Sequence, residues 1–584
     1  MSSKFSEEVY EFGPFQLSVG QRVLTRNGRR IPLSPTDFDL LLMLVKNSGH
    51  VVKKSEILKE IWPNRIIEES NLSQHVYLLR QILSNGNSNE RYIENVPRLG
   101  YRFISKVNEP ASQDDKRPAA PIATLAVLPL INASGDPQAE FLSDGITDAI
   151  INYLSQVQSL RVVARSVVFR YKSQLSDPQR IGRELNVAVV FAGTVLSIKD
   201  RLAIKVELLD VNAGWQLWGE QYNRVSSDIM EVQEEIAREI SEKLQIKLSG
   251  KEKKLLTKRH TENAEAYYLH LKGFYLGHKK TLEAMLKSIE CFQKAIELDR
   301  SYALPYAGLA QAYIMLGWIM IGECSSQEVI PKAKAAAARA LEIDDSLAEA
   351  HHALGKIRMM FEWDWLGAEK EFKQAIACNA NYAAAFAMYG YFFAYQRKFT
   401  DAIKQTKRAL ELEPLSLTFN TDLAQQLYLA GDYDRAIDQC KKTLELDKHF
   451  GVTHLTLALA YQQKEMIEEA LIEIKQIIAF LGGSSPILST ALARIYAYSD
   501  RKKEAKEILK ELQQLAHSRY VSPFNIAIIY DALNEPDLFF TWLEKAFKER
   551  SSGMVLLKTL PLRDVIRTDP RFAALLRKVG FLTA

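Results

Sequence analysis

A chain of 584 residues is longer than one hydrophobic core organises, so several domains are expected. Charged residues make up 25% and hydrophobic ones 47%, which excludes a wholly disordered, collagenous or coiled-coil protein. The net charge of +4 sits in residues 1–107, where 15 Lys and Arg face 11 Asp and Glu, a bias that suits a polyanion partner without requiring one.

From the start, MSSKFSEEVYEFG has no apolar stretch behind a basic one, so no secretory leader is expected. Short β-type runs follow at 12–19, 22–25 and 30–33, separated by Gly20 and the Asn27-Gly28 turn signal, and predict a small antiparallel sheet. Ser34-Pro35 supplies a cap and a proline at the first helical position. Phe38, Leu41, Leu42 and Val45 then recur at helical spacing until Gly49. A second helix is predicted over about 54–61. A third covers 69–83, ESNLSQHVYLLRQIL, with Leu72, Val76, Leu79 and Leu83 on one stripe and Ser73, Gln74, Tyr77 and Arg80 on the other face. Residues 91–103, RYIENVPRLGYRF, read as a β-hairpin turning at Pro97, Arg98 and Gly100.

That order, with LSPTDFDLLLMLVKNSGHVVKKSEILKEIW, NLSQHVYLLRQIL and the closing GYRF, resembles the OmpR/ToxR-type winged helix-turn-helix DNA-binding domain over residues 1–107. The resemblance implies that the third helix enters the major groove, which is about 12 Å wide and admits one helix. Gln74, His75, Tyr77 and Arg80 would then offer donors and acceptors to base edges, with Ser73 beside them. Arg80 could fork onto a guanine and Gln74 could pair with an adenine. Ser70 and Asn71 would meet a phosphate at the helix N-terminus, and Arg98 the minor groove or its phosphates. His75 is equally suited to packing against the loop before the helix, and Leu78 is unexpected on a polar side. No receiver domain precedes residue 10, so control by phospho-aspartate is not expected. The stretch after the hairpin is polar where membrane-anchored relatives carry a transmembrane helix, which implies a cytoplasmic protein.

Residues 108–121, NEPASQDDKRPAAP, read as a linker. Residues 122–250 then alternate strand and helix signals: TLAVLPLI, DGITDAIINYLSQV, LRVVAR, DPQRIGRELNV, and antiparallel strands turning at Lys199-Asp200 and Asn212-Ala213-Gly214. LAVLPL, FLSDGITDAI and WGEQY resemble the TolB N-terminal-like module, an α/β fold that implies no catalysis. Asp136, Asp144 and Asp148 could suggest an acidic metal site, but Asp144 and Asp148 read as carboxylates favouring a helix N-terminus. Trp215 and Trp218 read as sheet residues. A charged amphipathic stretch over 230–258 leads into the C-terminal half.

That half repeats with a period of 34 residues. Phe386, Tyr389, Gly390, Ala402, Ala409 and Pro414 define one unit; Asn420, Leu423, Ala424, Ala436 and Thr443 the next; His454, Leu457, Ala458, Tyr461 and Ala470 a third. Further units start near 266, 303, 348, 486 and 520, which gives about eight over 251–551, and this pattern resembles the tetratricopeptide repeat. The small residues mark close approach of paired helices. Stacked units imply an all-α superhelix whose groove would present Met359, Ala387, Tyr391, Tyr395, Gln425 and Tyr428, a set suited to an apolar or helical peptide or to self-association; the same tyrosines could instead pack between repeats. Residues 552–584 resemble a capping helix. Two uncharged windows, 301–322 and 374–396, approach the length of a membrane span but fall in register with the repeats.

The four cysteines, Cys291, Cys324, Cys378 and Cys440, form no CxxC pair and suggest neither disulfides nor a zinc ribbon. No Walker loop, HExxH, GxSxG, GxGxxG or cyclase-like segment occurs, so no catalytic residue, metal or cofactor is expected. The expectation is a multidomain, cytoplasmic, sequence-specific DNA-binding transcriptional regulator. Its repeats would bind a protein partner or another copy of the chain, and its architecture resembles the invasion-gene activators of enteric bacteria. The alternative is a repeat scaffold without specific DNA readout.

Overall fold

Over 12–19 the sequence reads as one strand, but Gly13, at φ +53°, folds the chain back. Two strands result, β1 (Val9–Phe12) and β2 (Phe15–Ser18), with Phe12 opposite Phe15. With β3 (Val23–Arg26) and β4 (Arg29–Ile31) they form a four-stranded antiparallel sheet. The structure is a computed structural model that describes all residues except 1–8, 19–22, 27–28, 32, 34, 62–68, 85–91, 97–98, 106, 108–122, 137–138, 156, 158–159, 173–176, 200, 245–259, 280, 319–323 and 582–584. The predicted turns at Gly20, Asn27-Gly28 and Pro97-Arg98, the Ser34 cap, Asp200, the 108–121 linker and the last part of the 230–258 stretch therefore lie outside the described residues.

The chain divides into two units, Met1–Ala120 and Pro121–Ala584. In the first, the sheet is followed by α1 (Pro35–Lys46), β5 (Val51–Lys53), α2 (Lys54–Ile61), α3 (Glu69–Ser84), β6 (Ile93–Val96) and β7 (Gly100–Phe103). The last two strands pair as a hairpin, and β7 also pairs β5. Close approach dictates Gly100, since a Cβ there would lie 1.9 Å from the Val52 carbonyl oxygen. Phe12, Phe15, Tyr92 and Phe103 pack edge-on and stacked, with ring centres 5.0–6.4 Å apart, and lock the N-terminal sheet to the hairpin.

The second unit begins with a six-stranded sheet in the order β10-β8-β11-β12-β13, with β9 paired to β11. The strands are β8 (Ala123–Val127), β9 (Ile131–Asn132), β10 (Leu160–Val162), β11 (Val189–Ile198), β12 (Arg201–Asp210) and β13 (Gln216–Val225). α4 (Glu140–Ser155) and α5 (Ile229–Lys243) pack within the same apolar core as the sheet. The expectation for Asp144 and Asp148 needs correction. α4 starts at Glu140, so these carboxylates sit past its first turn and cannot serve its N-terminus. They are buried ion-pair partners instead: Lys172 bridges Glu140 and Asp144, and Arg165 pairs with Asp148 at 2.5 Å. Burial pushes the Asp148 carboxyl up to about 6, against the pull of Arg165. Trp218 is buried in the sheet core, whereas Trp215 is 73% exposed, in the turn before β13.

Eight helix pairs follow among the described residues, from Ala264–His278 with Leu282–Leu298 to Pro523–Ala532 with Pro536–Lys548. A Cβ on Gly390 would meet Thr406 Oγ1 at 2.5 Å, which is the close helix approach read from the sequence. The sheet layer rests on turns that follow successive pairs: Ser155 O accepts from Asn381 Nδ2, Ser166 Oγ donates to Glu413 at 2.5 Å and Arg170 Nη2 donates to the Leu446 carbonyl at 2.9 Å. The window 301–322 contains the helix Ala303–Gly317, and 374–396 runs from one helix into the next, Ala383–Tyr395. Among the described residues no helix is long and apolar enough to cross a membrane. All four cysteines are free thiols, and burial raises Cys440 to about 12.

Candidate nucleic-acid interface and repeat groove

Leu72, Val76, Leu79 and Leu83 on α3 are at most 1% exposed and turn one stripe of the helix into the core. At about 3.6 residues per turn, positions 74, 77, 78 and 81 lie across the helix from that stripe, and positions 75 and 80 on its two flanks. Leu78, on the far side, is 42% exposed, so that side of the helix faces away from the core. Gln81 shares this side with Gln74 and Tyr77; sequence reasoning overlooked it, although the same helical count would have found it.

The flanking residues are engaged within the domain. His75 Nδ1 lies 2.7 Å from Asp37 Oδ1 in the first turn of α1. Arg80 Nε donates to the Ile93 carbonyl at 3.0 Å, and its guanidinium stands 6.0 Å from the centre of the Tyr101 ring. Arg80 thus ties α3 to the hairpin. Arg102 in the hairpin is held by Glu94 through bonds of 2.6 and 2.9 Å, and Leu99 at the tip is exposed. The side chains of Ser70, Asn71, Ser73, Gln74, Tyr77 and Gln81, and all of Arg98, lie outside the described residues.

The family described as "Transcriptional regulatory protein, C terminal" matches residues 28–103, which take in β4, α1, β5, α2, α3 and the β6–β7 hairpin. Over 520 residues the chain is 22% identical to the transcriptional regulator HilA of Salmonella typhimurium, with 87% of this chain and 83% of that one aligned. It is 34% identical over 203 residues to the putative adenylate cyclase 3 of Rhizobium meliloti, which covers 35% of this chain and 34% of the relative. A third relative is the sensory transduction protein RegX3 of Mycobacterium leprae, 32% identical over 104 residues, or 18% of this chain and 52% of that one. The chain therefore spans about a third of the cyclase-named relative and about half of RegX3.

The second predicted site is the groove of the repeats. Met359, Tyr391, Tyr395 and Tyr428 are all buried and Gln425 is half-buried. The Tyr391 hydroxyl donates to Asp422 at 2.9 Å and also bonds Gln425, whose amide donates to Thr456 Oγ1 at 3.2 Å. These contacts join the first helices of three successive pairs: Ala383–Tyr395, Leu417–Leu429 and Gly451–Gln463. Burial raises the Tyr391, Tyr395 and Tyr428 hydroxyls, so they remain protonated. The groove residues thus hold the repeats together, and the wall they belong to carries a further cover.

That cover is the C-terminal segment, which the sequence reads as a cap for the last repeat. Its helices, Asp564–Arg567 and Pro570–Lys578, follow a short turn at Ser552–Leu556, and the segment reaches far beyond the last pair. Arg494, 3% exposed, donates to the Pro561 carbonyl at 3.1 Å. The Arg563 guanidinium stacks 4.5 Å from the Tyr498 ring and donates to the Asp531 and Ala532 carbonyls, while its backbone N–H donates to Asp531 Oδ1. Trp365 Nε1 donates to the Val579 carbonyl at 2.8 Å, and its ring lies 4.8 Å from that of Phe581. Beside it, the helix Ala348–Ile357 runs into a π-turn, Arg358–Glu362, and then into Trp363 at φ +60°, a left-handed conformation unfavourable for a bulky residue. Packing compensates: Trp363 stacks on Phe547 at 4.9 Å and lies under the Arg550 guanidinium at 4.4 Å.

Proposed function

We propose that the chain is a cytoplasmic DNA-binding transcriptional regulator and not an enzyme, with α3 reading the major groove and the repeats answering to a protein partner. The observation that carries this reading is the orientation of α3, whose buried stripe faces the core while the side bearing Leu78 is exposed. Gln74, Tyr77 and Gln81 are the base-reading residues. Ser70, Asn71 and Ser73 meet phosphates near the helix N-terminus, and Arg98 meets them from the wing. His75 and Arg80 are positioning residues, because Asp37 and the Ile93 carbonyl already hold them. HilA, similar over most of the chain, is named a transcriptional regulator, which agrees with this assignment. The cyclase name of the Rhizobium protein belongs to a relative of which this chain covers 34%, and the cyclase-like motifs are missing here.

The domains proposed are the winged helix over 1–107, the linker 108–121, the α/β module 122–250, the repeats 251–551 and the closing segment 552–584. A peptide partner of the repeats competes with that closing segment, since the segment lies over Arg494 and Tyr498 next to the predicted groove residues. The test of DNA binding is titration of the full chain with duplex DNA at increasing salt. Affinity should fall steeply, because neutralised phosphates release counterions. Absent or salt-insensitive binding would leave the repeat scaffold as the better reading.

A further inference from the structure

β13 is the last strand of the six-stranded sheet, and among the described residues its outer edge pairs with no other strand. Natural sheets blunt such edges with charged residues, lysine above all, or with proline, a bulge or a short strand. β13 carries Glu220, Arg224 and a bulge near its start, but it is ten residues long, QLWGEQYNRV, without Lys or Pro, and all but Trp218 and Tyr222 are exposed. Two of its main-chain groups make do with its own side chains. The Gln221 N–H donates to Glu220 Oε1 at 3.2 Å, and the Asn223 carbonyl accepts from Arg224 Nη1 at 3.3 Å. Both belong to odd-numbered residues, so the odd positions carry the main-chain groups that face away from β12.

We propose that a second copy of this chain pairs its β13 antiparallel to this one about Gln221, which makes one continuous sheet across two molecules. A symmetric antiparallel pair must join odd positions to odd positions for its hydrogen bonds to close, which leaves three central registers. Centring on Glu220 sets like charges face to face. Centring on Tyr222 leaves Leu217 beyond the end of the facing strand. Centring on Gln221 places Leu217 opposite Val225 of the second copy, twice by symmetry, and the Trp218 ring opposite Arg224. Leu217 and Val225 are 47% and 44% exposed, so this register covers two apolar side chains that the single chain leaves in water. A bulge opposite Leu208 and Leu209 leaves Leu217 without a partner on β12, which accords with its role at the outer seam.

The test is the mass of the full chain in solution without DNA, so its outcome is independent of the DNA-binding reading. Light scattering or sedimentation at micromolar concentration should give twice 66.3 kDa. The double substitution L217K/V225K sets ammonium opposite ammonium at both ends of the seam and should halve the mass, with circular dichroism and melting unchanged because both side chains are exposed. L217K/V225E places opposite charges face to face and should restore the doubled mass. A wild-type chain of single mass overturns the proposal, as does a lysine variant that stays at the doubled mass or a Lys/Glu variant that fails to regain it.

Discussion

The outer side of α3 and the wall of the repeat groove look alike in the sequence: each is the side of an amphipathic helix left over once an apolar stripe is assigned. They end differently. α3 belongs to a small unit in which three helices and a hairpin bury the Leu72–Leu83 stripe, and Leu78 on its far side stays exposed. The groove wall belongs to an array whose own C-terminal segment returns over it, so that Arg494, a charged residue, is 3% exposed beneath Pro561. Helical period tells which side of an element faces its immediate neighbours. Whether a remote stretch of chain lies on the other side depends on contacts that no period records.

The largest effect expected separates the two regions by stability. Leu79→Ala removes a fully buried side chain from the α3 stripe and should cost about 3 kcal/mol, within the usual range for such cavities. In calorimetry of the full chain the winged-helix transition should fall, DNA binding should go with it, and the repeat transition should stay. The counterpart is Asp531→Ala. Its buried carboxylate accepts from the Arg563 main-chain N–H and lies near the buried Arg494, so removing it loses that bond and leaves Arg494 without this counter-charge, at a cost of about 3 kcal/mol. Urea unfolding of the repeats should shift, and protease cleavage within 552–581 should accelerate while the winged helix melts as before. An unchanged cleavage rate would mean that other contacts hold the segment.

Much of the first region was legible in advance and less of the second, for a physical reason. The α3 stripe and the hairpin follow from local spacing; Gly100, read as a turn residue, instead opens β7, where the Val52 carbonyl of β5 leaves no room for a Cβ. The engagement of Arg80 does not, because its acceptor is a carbonyl on another element, and carbonyls are present at every residue. In the repeats, Gly390 and the alanines marked close packing because a larger side chain there meets Thr406. Trp365 bonding Val579 spans 214 residues, and Arg494 bonding Pro561 spans 67. Neither acceptor has a side-chain signature. The strained Trp363 likewise rests on remote partners, Phe547 and Arg550, near the end of the last pair.

The open side of α3 can be sharpened by comparing two neighbouring residues. Gln81→Ala should weaken binding to a specific site by about 2 kcal/mol, with melting unchanged, if this side reads bases. Arg80→Met removes the hydrogen bond to Ile93 and should lower the winged-helix melting temperature by the equivalent of about 1 kcal/mol. Its loss of DNA binding should be similar on specific and random sequences, because the whole helix is then less firmly held. The reverse pattern, with Arg80→Met selective and Gln81→Ala silent, would return the base-reading role to Arg80.

The smallest effect belongs to the repeats and concerns pH. His351 and His454 sit in the same arrangement 103 residues apart, about three repeat lengths. Each Nδ1 meets a glutamate of the paired helix, Glu371 at 2.7 Å and Glu473 at 2.5 Å, and each Nε2 meets a carbonyl six residues earlier. For His351 burial pulls the imidazole down but Glu371 and the Asp345 carbonyl outweigh it; for His454 the Glu473 bond dominates over burial; both therefore titrate above the ordinary range. A raised folded-state value means that the charged form stabilises the fold: the contribution is complete below about 6.5 and disappears as pH rises through the folded values. The repeat transition should drop by a few degrees between pH 6 and pH 8, and His351→Gln with His454→Gln should flatten that slope. The winged-helix transition of the same variant should keep its wild-type pH profile. A slope between pH 6 and pH 8 that survives the double substitution would assign the titration to other groups; Asp148, in α4 of the α/β module with its value of about 6, acts below that range. The sign distinguishes them only in part, since a buried acid raised in the fold also loses stability as pH rises; what separates them is the window, which for Asp148 closes near pH 6 and for the histidines opens there.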